Sequence, residues 1–158
     1  YNRVVSDLNG LSPAAFLARV AEKFEIEEKG AVPFAPAAPH TFGLYLGDRW
    51  YKLVAKAGSF DAGDPVKSLD VSILQDNLLA PVLGIADPRT DQRIDFIGGI
   101  RGLAELERQV RQGKACAFSL YPTTVEQLMA ISDAGAIMPP KSTWFEPKLR
   151  SGLFIHEL

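Results

Sequence analysis

Two runs of residues that alternate between apolar and other side chains, residues 40–46 and 49–56, restrict the fold of this chain most strongly. Alternation with a period of two is the pattern of a β-strand with one buried face. The runs are separated by Gly47 and Asp48, a pair that closes a tight two-residue turn. The pattern therefore predicts a β-hairpin in the first half of the chain, with Trp50 continuing the buried side of the first strand.

A helix is predicted before this hairpin. Ser12 is a favoured N-cap residue, and Pro13 suits the first helical position. Apolar residues then recur at helical spacing as far as Phe24, so the helix is expected to reach that residue with one face buried. Residues 30–39 contain three prolines, which predicts an extended connector to the hairpin. Residues 1–6 are predicted to form a short strand.

The second half of the chain alternates between strands and helices. Ser68 or Asp70 is expected to cap an apolar helix, and Pro81 should end or kink it because an interior proline removes a backbone donor. The elements that follow are a strand at 94–97, a helix at 103–112, a strand at 115–121, a helix opened by a capping box at 123–126, and a strand at 153–155.

This order of elements predicts an α+β or α/β fold, with helices packed against a mixed sheet. The hairpin lies in the first half, and the second half has the order strand–helix–strand–helix–strand. That order suits right-handed crossovers between parallel strands. A chain of 158 residues is expected to form one domain, residues 1–158.

Charge and composition exclude some function classes. The formal net charge is −2 and the sequence pI is about 5.7. This argues against a general nucleic-acid binder, because such proteins depend on clustered Lys and Arg. The single cysteine, Cys116, cannot form an intrachain disulfide, and its apolar neighbours predict that it is buried. No apolar run is long enough for a membrane span and no secretory signal is visible, so a soluble, cytoplasmic protein is expected.

A loop of mixed chemistry, residues 138–152, is the first candidate for a functional site. Its cations and hydroxyls suit an anionic ligand such as a phosphate or a carboxylate, although a solvated surface loop would have a similar composition. Trp144 and Phe145 are expected either to pack into the core or to stack on a flat group. The candidate anion-binding residues of this loop are Lys141, Ser142, Thr143, Lys148 and Arg150.

A glycine-rich turn is the second candidate. Gly98, Gly99, Arg101 and Gly102 lie between a predicted strand and a predicted helix. Paired glycines let backbone N–H groups face an anion at a helix start, and Arg101 would add a charge. The turn matches neither the phosphate-loop motif nor the dinucleotide-binding motif. The alternative is a tight strand-to-helix turn that requires a positive φ.

No metal site and no cofactor is assigned from the sequence. Three aspartates with arginines between them lie in residues 87–95, but their spacing does not fit an EF-hand calcium loop. Turn hydrogen bonds and surface ion pairs are therefore expected there. His40 and His156 have no neighbouring Cys or second His. No catalytic residue is identified, since the chain has no Gly-x-Ser-x-Gly motif and no plausible Cys–His pair.

Three segments of the chain resemble a known family. Residues 69–76, 93–103 and 138–149 are similar to the C-terminal half of a widespread prokaryotic family. That family is catalogued as a domain of unknown function, number 1015, and its members are sometimes labelled SpoOJ-like or ParB-like. The resemblance extends roughly from Tyr1 to the end of the chain. It implies that the chain is the C-terminal portion of a longer protein.

The resemblance also carries an expectation about function. Full-length members have an Asp-Gly-His-His-Arg motif in their upstream half, and this chain lacks that motif. ParB-like folds include nucleotide-binding proteins and small-molecule kinases. By fold analogy, the longer protein is expected to handle a nucleotide or a phosphorylated metabolite.

Two functions from different classes remain open. In the first, the domain completes the site of a small-molecule phosphotransfer or nucleotide-hydrolysing enzyme, with the loop lysines and hydroxyls holding phosphate oxygens and the glycine turn donating backbone hydrogen bonds. In the second, the domain is a non-catalytic binding or dimerisation module. Its loop then contacts the upstream half or another subunit through an exposed Trp144–Phe145 pair. DNA binding, which the ParB-like label suggests, is the weakest option for an acidic chain.

Overall fold

The computed structural model of the protein describes residues 1–143 and contains one six-stranded sheet with four α-helices. The strands are β1 (Asn2–Val5), β2 (Phe24–Gly30), β3 (Thr41–Leu46), β4 (Arg49–Ala55), β5 (Ile94–Ile97) and β6 (Cys116–Leu120). The helices are α1 (Pro13–Val20), α2 (Asp70–Leu74), α3 (Gly102–Arg111) and α4 (Val125–Asp133). A π-helical turn, Gln75–Leu79, continues α2, and a 3₁₀ turn, Gly99–Arg101, precedes α3. The predicted last strand, at 153–155, lies outside the described residues.

The α+β class is confirmed, with a correction to the sheet. The strand order is β2-β4-β3-β6-β1-β5, and every strand pairing in residues 1–143 is antiparallel. The expected crossover between parallel strands is present as β5–α3–β6. Its two strands are not neighbours, because β1 lies between them and pairs with both. Insertion of β1 therefore replaces the expected mixed sheet by an antiparallel one.

The predicted hairpin is confirmed. Gly47 and Asp48 both have positive φ, 56° and 61°, as the mirror-image turns that suit twisted strands require. The turn sets a register in which Tyr45 pairs with Trp50. Trp50 therefore lies on the opposite face of the sheet from Phe42 and the other apolar residues of its face, which corrects the expected common face.

Both faces of the sheet are covered. The larger core lies between one face and the α1 and α2 region, and includes Phe16, Leu44 and Leu74. The smaller core lies on the other face, where Leu106 of α3 meets Trp50 and its neighbours. A third small cluster, which contains residues of α2 and α4, is separate from both cores. Since both faces are buried, a polar side chain in a central strand has little access to water.

The first helix is shorter than its apolar spacing predicts. It begins as expected, with the Ser12 hydroxyl accepting from the Ala15 N–H, but it ends at Val20. Phe24 instead begins β2. Phe24 and Ile26 face the core, while Glu25 and Glu27 are exposed. A period-two pattern in these residues overlaps the helical spacing, and pairing with β4 selects the strand.

Two predicted helix starts are corrected. Asp70 does not cap α2, because the N-cap position is Leu69 and Asp70 is the first helical residue. The capping box of α4 is formed by Thr124 and Gln127, one residue later than predicted. The end of the α2 segment at Leu79, just before Pro81, is as expected.

Candidate functional site

The loop at residues 139–143, here called the ridge, lies against the start of β1. The Ser142 hydroxyl donates to the Pro139 carbonyl at 2.5 Å, and the Thr123 hydroxyl donates to the Ser142 carbonyl at 2.9 Å. A guanidinium nitrogen of Arg3 donates to the Lys141 carbonyl at 3.3 Å. These bonds hold the ridge between β1 and the start of α4, where it separates two clefts.

The first cleft, here called the hydroxyl cleft, has a volume of about 280 Å³. Four hydroxyl residues line it at the ridge and near the start of α4, Thr123, Thr124, Ser142 and Thr143, and Asn2 and Tyr121 also contribute to its wall. The rest of its wall is mainly apolar and includes Ile100 and side chains of α2, β6 and α4. The cleft therefore offers hydroxyl groups beside a surface that suits an organic group.

Two of the separately predicted segments meet in this cleft. Gly99 of the glycine turn and Ser142 and Thr143 of the loop line the same space. The Lys141 ammonium lies 5.2 Å from the centre of the Tyr1 ring, and that ring is also part of the wall. Lys141 is thus near the cleft without lining it.

The other predicted residues are arranged differently. Gly98 and Arg101 do not line the hydroxyl cleft. The Gly98 carbonyl accepts from the Arg101 N–H at 3.0 Å, which closes the 3₁₀ turn. Hydrogen bonds from Arg108 and Gln109 lower the pKa of Glu105 to about 2, and the positive charge of Arg101 contributes to this lowering. Arg101 itself is exposed. Lys148, Arg150, Trp144 and Phe145 lie outside the described residues.

The backbone of the glycine turn shows where a positive φ is required and which residue faces the hydroxyl cleft. Gly102 has φ +71°, a conformation that L side chains rarely adopt, so a strand-to-helix turn of this shape favours glycine there. Gly98 has φ −59° and needs no such freedom. Gly99 faces the cleft with open space where a side chain would be. The first N–H groups of a helical turn have no partner inside it, and they remain available to a ligand.

The second cleft, here called the Arg3 cleft, has a volume of about 430 Å³ and lies on the other side of the ridge. Arg3 of β1 lines it and is only 4% exposed. The guanidinium donates to the carbonyls of Tyr1 and Lys141 and lies over the Phe96 ring at 5.4 Å. In residues 1–143, no carboxylate is within ion-pair distance of it. Burial lowers the pKa of Arg3 to about 10.

Arg3 is not among the site residues predicted from the sequence. It lies in a predicted strand whose apolar centre, Val4 and Val5, indicates packing against a core and no binding role. The sequence contains no local signal for its burial, because successive side chains of a strand point to opposite faces and only the covering of both faces buries an arginine there. All four residues of β1 are in fact buried.

The remaining walls of the Arg3 cleft carry charges of both signs. Lys67 and Arg89 line it, as do Asp76 and Asp87. Hydrogen bonds from Arg89 lower the pKa of Asp87 to about 2, and the two side chains form an ion pair at 2.8 Å. Surface ion pairs were expected in this acidic segment. A second one joins Asp91 to Arg93. Both are turn contacts between residues two apart.

Cys116 and His40, whose side chains could take part in a reaction, line neither of the two clefts. Cys116 is fully buried, as expected, and burial raises the pKa of its thiol far above the usual range. His40 contacts the Ser68 carbonyl at 3.2 Å and the Phe60 ring at 4.5 Å. Within residues 1–143, no group of three or more His, Cys, Asp and Glu side chains is arranged to hold a metal ion. The helices of that region include none that could span a membrane.

Comparison with known proteins finds a family model that matches the first part of the chain. Neither the curated proteins nor the solved structures contain a match to this sequence. The family match ends inside α2, so the resemblance of residues 93–103 and 138–149 stays a prediction. Residues 1–72 match the model of the family described as Protein of unknown function (DUF1015), and the chain is similar to that family over this stretch.

Proposed function

We propose that this domain binds a small phosphate-bearing molecule, such as a nucleotide or a phosphorylated metabolite, in the hydroxyl cleft. One observation supports this most. Gly99 and the Ser142–Thr143 pair, more than 40 positions apart in the sequence, line the same cleft. Each segment carries groups that bind anions, and neither forms such a surface alone.

The two sides of the cleft suit the two parts of such a ligand. The apolar wall at Ile100 and the nearby side chains accept a base or another organic group. The hydroxyl of Thr143 and the N–H groups of the 3₁₀ turn donate to phosphate oxygens. Lys141 neutralises charge from the edge of the cleft, and Lys148 and Arg150, which follow in sequence, are further candidates for this role.

The reaction belongs to the longer protein that the family resemblance implies. Residues 1–158 then form its C-terminal domain, and the upstream half supplies the catalytic groups. Phosphotransfer and nucleotide hydrolysis depend mainly on positioning and charge neutralisation, so a domain without its own nucleophile is able to complete such a site. On this proposal the domain holds the phosphate, and the catalytic residues lie in the upstream half.

The test is a thermal-shift panel of inorganic phosphate, nucleotides, phosphorylated metabolites and amino acids. It is run on the longer protein, which contains the upstream half as well as residues 1–158. We compare the wild type with Lys141→Ala and Thr143→Val. Lys23→Ala, which changes an exposed lysine outside both clefts, is the matched control. A ligand that stabilises the wild type and the control but not the two cleft variants supports the proposal. Equal stabilisation of all four proteins, or of none, contradicts it.

A second function, a non-catalytic binding or dimerisation module, is favoured by the surface beside the cleft. Val125 and Met129 of α4 are 66% and 59% exposed, and Ile137 is 89% exposed. Apolar side chains exposed together often mark an interface. If this surface forms a dimer, sedimentation equilibrium gives a concentration-dependent dimer that Met129→Lys dissociates. A monomer at all concentrations excludes dimerisation through α4.

A further inference from the structure

Arg3 is a buried cation that no carboxylate of residues 1–143 neutralises. Arg3 is 4% exposed, in a strand that is paired on both sides. A charge removed from water is costly unless an opposite charge and hydrogen bonds compensate it. The structure supplies hydrogen bonds to two carbonyls, and the described part of the chain supplies no carboxylate.

A structural role accounts for part of this arrangement. The two carbonyl contacts tie β1 to the ridge, and the Phe96 ring covers one face of the guanidinium. A guanidinium has five N–H donors, however, and a neutral carbonyl does not supply a counter-charge. A side chain needed only for these contacts would not require a cleft of about 430 Å³ at the same position.

We infer that Arg3 forms an oxyanion-binding site in the Arg3 cleft, separate from the hydroxyl cleft, for a small molecule with a phosphate or carboxylate group. The planar guanidinium presents paired donors that match two oxygens of such a group. The cleft has room for the rest of the molecule, and the buried position excludes water that would weaken the contact.

The charges around Arg3 agree with this assignment. Asp87, the carboxylate in the wall that would otherwise compete for a cation, is already paired with Arg89. Lys67 also lines the cleft, and its ammonium lies 4.0 Å from a carboxylate oxygen of Asp64 at the surface. Asp76 opposes an anion, and it lies exposed on the surface, where its charge is screened. Arg3 is therefore the charge in the interior of this cleft that a ligand meets.

The site is independent of the proposed function. Pro139 and Pro140 line the Arg3 cleft, whereas Ser142 and Thr143 line the hydroxyl cleft. The ridge thus gives one face to each cleft. Val71 lines both clefts. A side-chain change at Arg3 or at Thr143 affects the lining of one cleft alone, so either proposal can fail alone.

The experiment follows the Arg3 side-chain N–H resonance in ¹H–¹⁵N spectra of the full chain during separate titrations with inorganic phosphate and with sodium acetate. Saturable movement of this resonance with either probe supports the site, and the probe that acts identifies the preferred oxyanion. We expect Arg3→Lys, which keeps the charge but loses the paired donors, to weaken binding by about tenfold or more. Resonances of neighbouring residues such as Phe96 report binding in that variant.

Three variants make the result specific. Arg3→Met, which keeps much of the buried stem, should abolish the response, whereas Arg19→Met at an exposed position should leave it unchanged. Lys141→Ala should also leave it unchanged, because Arg3 contacts the backbone of Lys141 and not its side chain. No movement of the Arg3 resonance with either probe, or an equal response of neighbouring residues in Arg3→Met, overturns the inference.

Discussion

At the scale of single residues, Asp70 is the acid whose surroundings differ most from water. It is 7% exposed. One carboxylate oxygen accepts from the backbone N–H of His40 at 2.8 Å, and the other has no hydrogen-bond partner in residues 1–143. Burial raises the pKa of Asp70 from 3.8 to about 6, and the bond from His40 opposes that rise only partly. Asp70 therefore carries a charge at neutral pH in a place that disfavours it.

The sign of the pH dependence follows from the raised pKa. The folded state holds this proton more tightly than the unfolded state, so the contribution of Asp70 to stability is present below pH 3.8 and is lost as the pH rises through about 6. Asp70→Asn keeps an acceptor for His40 and removes the charge. We expect the variant to be more stable than the wild type at pH 7 by roughly 2 kcal/mol, or about 4–8 °C in Tm.

Thermal unfolding between pH 4 and pH 7.5 tests this expectation. The difference between Asp70→Asn and the wild type should shrink as the pH falls toward 4, where the wild-type carboxyl is protonated. Asp133→Asn, at an exposed position of α4, is the control and should show no comparable gain at pH 7. A difference that does not change with pH would argue against a buried charge at Asp70.

Gly43 in β3 is a second residue whose neighbours decide its identity. A Cβ there would lie 2.6 Å from the Phe34 carbonyl oxygen and would overlap the Ser119 hydroxyl. These two groups are hydrogen-bonded to each other, so neither moves freely. We expect Gly43→Ala to destabilise the protein by about 1–3 kcal/mol. Chemical denaturation measures this, and Gly63→Ala, where a Cβ meets only ordinary contacts, should change stability much less.

At the scale of elements, local hydrogen bonds set the starts of helices. Ser12 and Thr124 each accept from a backbone N–H at the first turn of α1 and α4. The sequence predicted the first of these correctly. It misassigned the second by one position because the capping-box pattern fits at Thr123 as well as at Thr124. Thr123 instead donates to the Ser142 carbonyl, a contact that local sequence does not reveal.

Ser12→Ala tests the importance of a cap to this fold. Loss of the hydroxyl leaves a backbone N–H of α1 without its partner, so we expect a loss of about 1 kcal/mol in the free energy of unfolding. Ser132→Ala, at an exposed position inside α4, should be neutral or slightly stabilising because alanine favours helices. Urea denaturation of the three proteins measures both values. Equal stability of Ser12→Ala and the wild type would show that tertiary packing alone holds the start of α1.

At the scale of the whole molecule, the sheet joins distant parts of the chain. The start of the chain, β1, lies between β5 and β6, and β3 lies between β4 and β6. Among the strands of residues 1–143, the two edges are β2 and β5. Strands paired on both sides and covered on both faces open only when the whole domain unfolds, whereas an edge strand is able to open locally.

Native-state hydrogen exchange should reflect this order. We expect the hydrogen-bonded amides of β1, β3, β4 and β6, the strands paired on both sides, to exchange most slowly and to share one free energy of opening, equal to that of global unfolding. Amides of β2 should exchange faster, because this edge strand also carries a register irregularity between Glu28 and Gly30. Protection of β2 equal to that of β3 would contradict the strand order as the source of stability.

The sequence by itself determined the features that depend on neighbouring residues: the hairpin turn at Gly47, the start of α1 at Ser12, the end of the α2 segment before Pro81 and the buried state of Cys116. Sterics and hydrogen bonds over a few residues are sufficient for the turn and the helix ends, and apolar neighbours indicate the burial. Only the tertiary structure decided the antiparallel order of the sheet, the two clefts and the burial of Arg3 and Asp70. Arg3 and its partner carbonyl at Lys141 are 138 positions apart. Contacts over such distances depend on which strand pairings bury the most apolar surface together, and no local pattern contains that information.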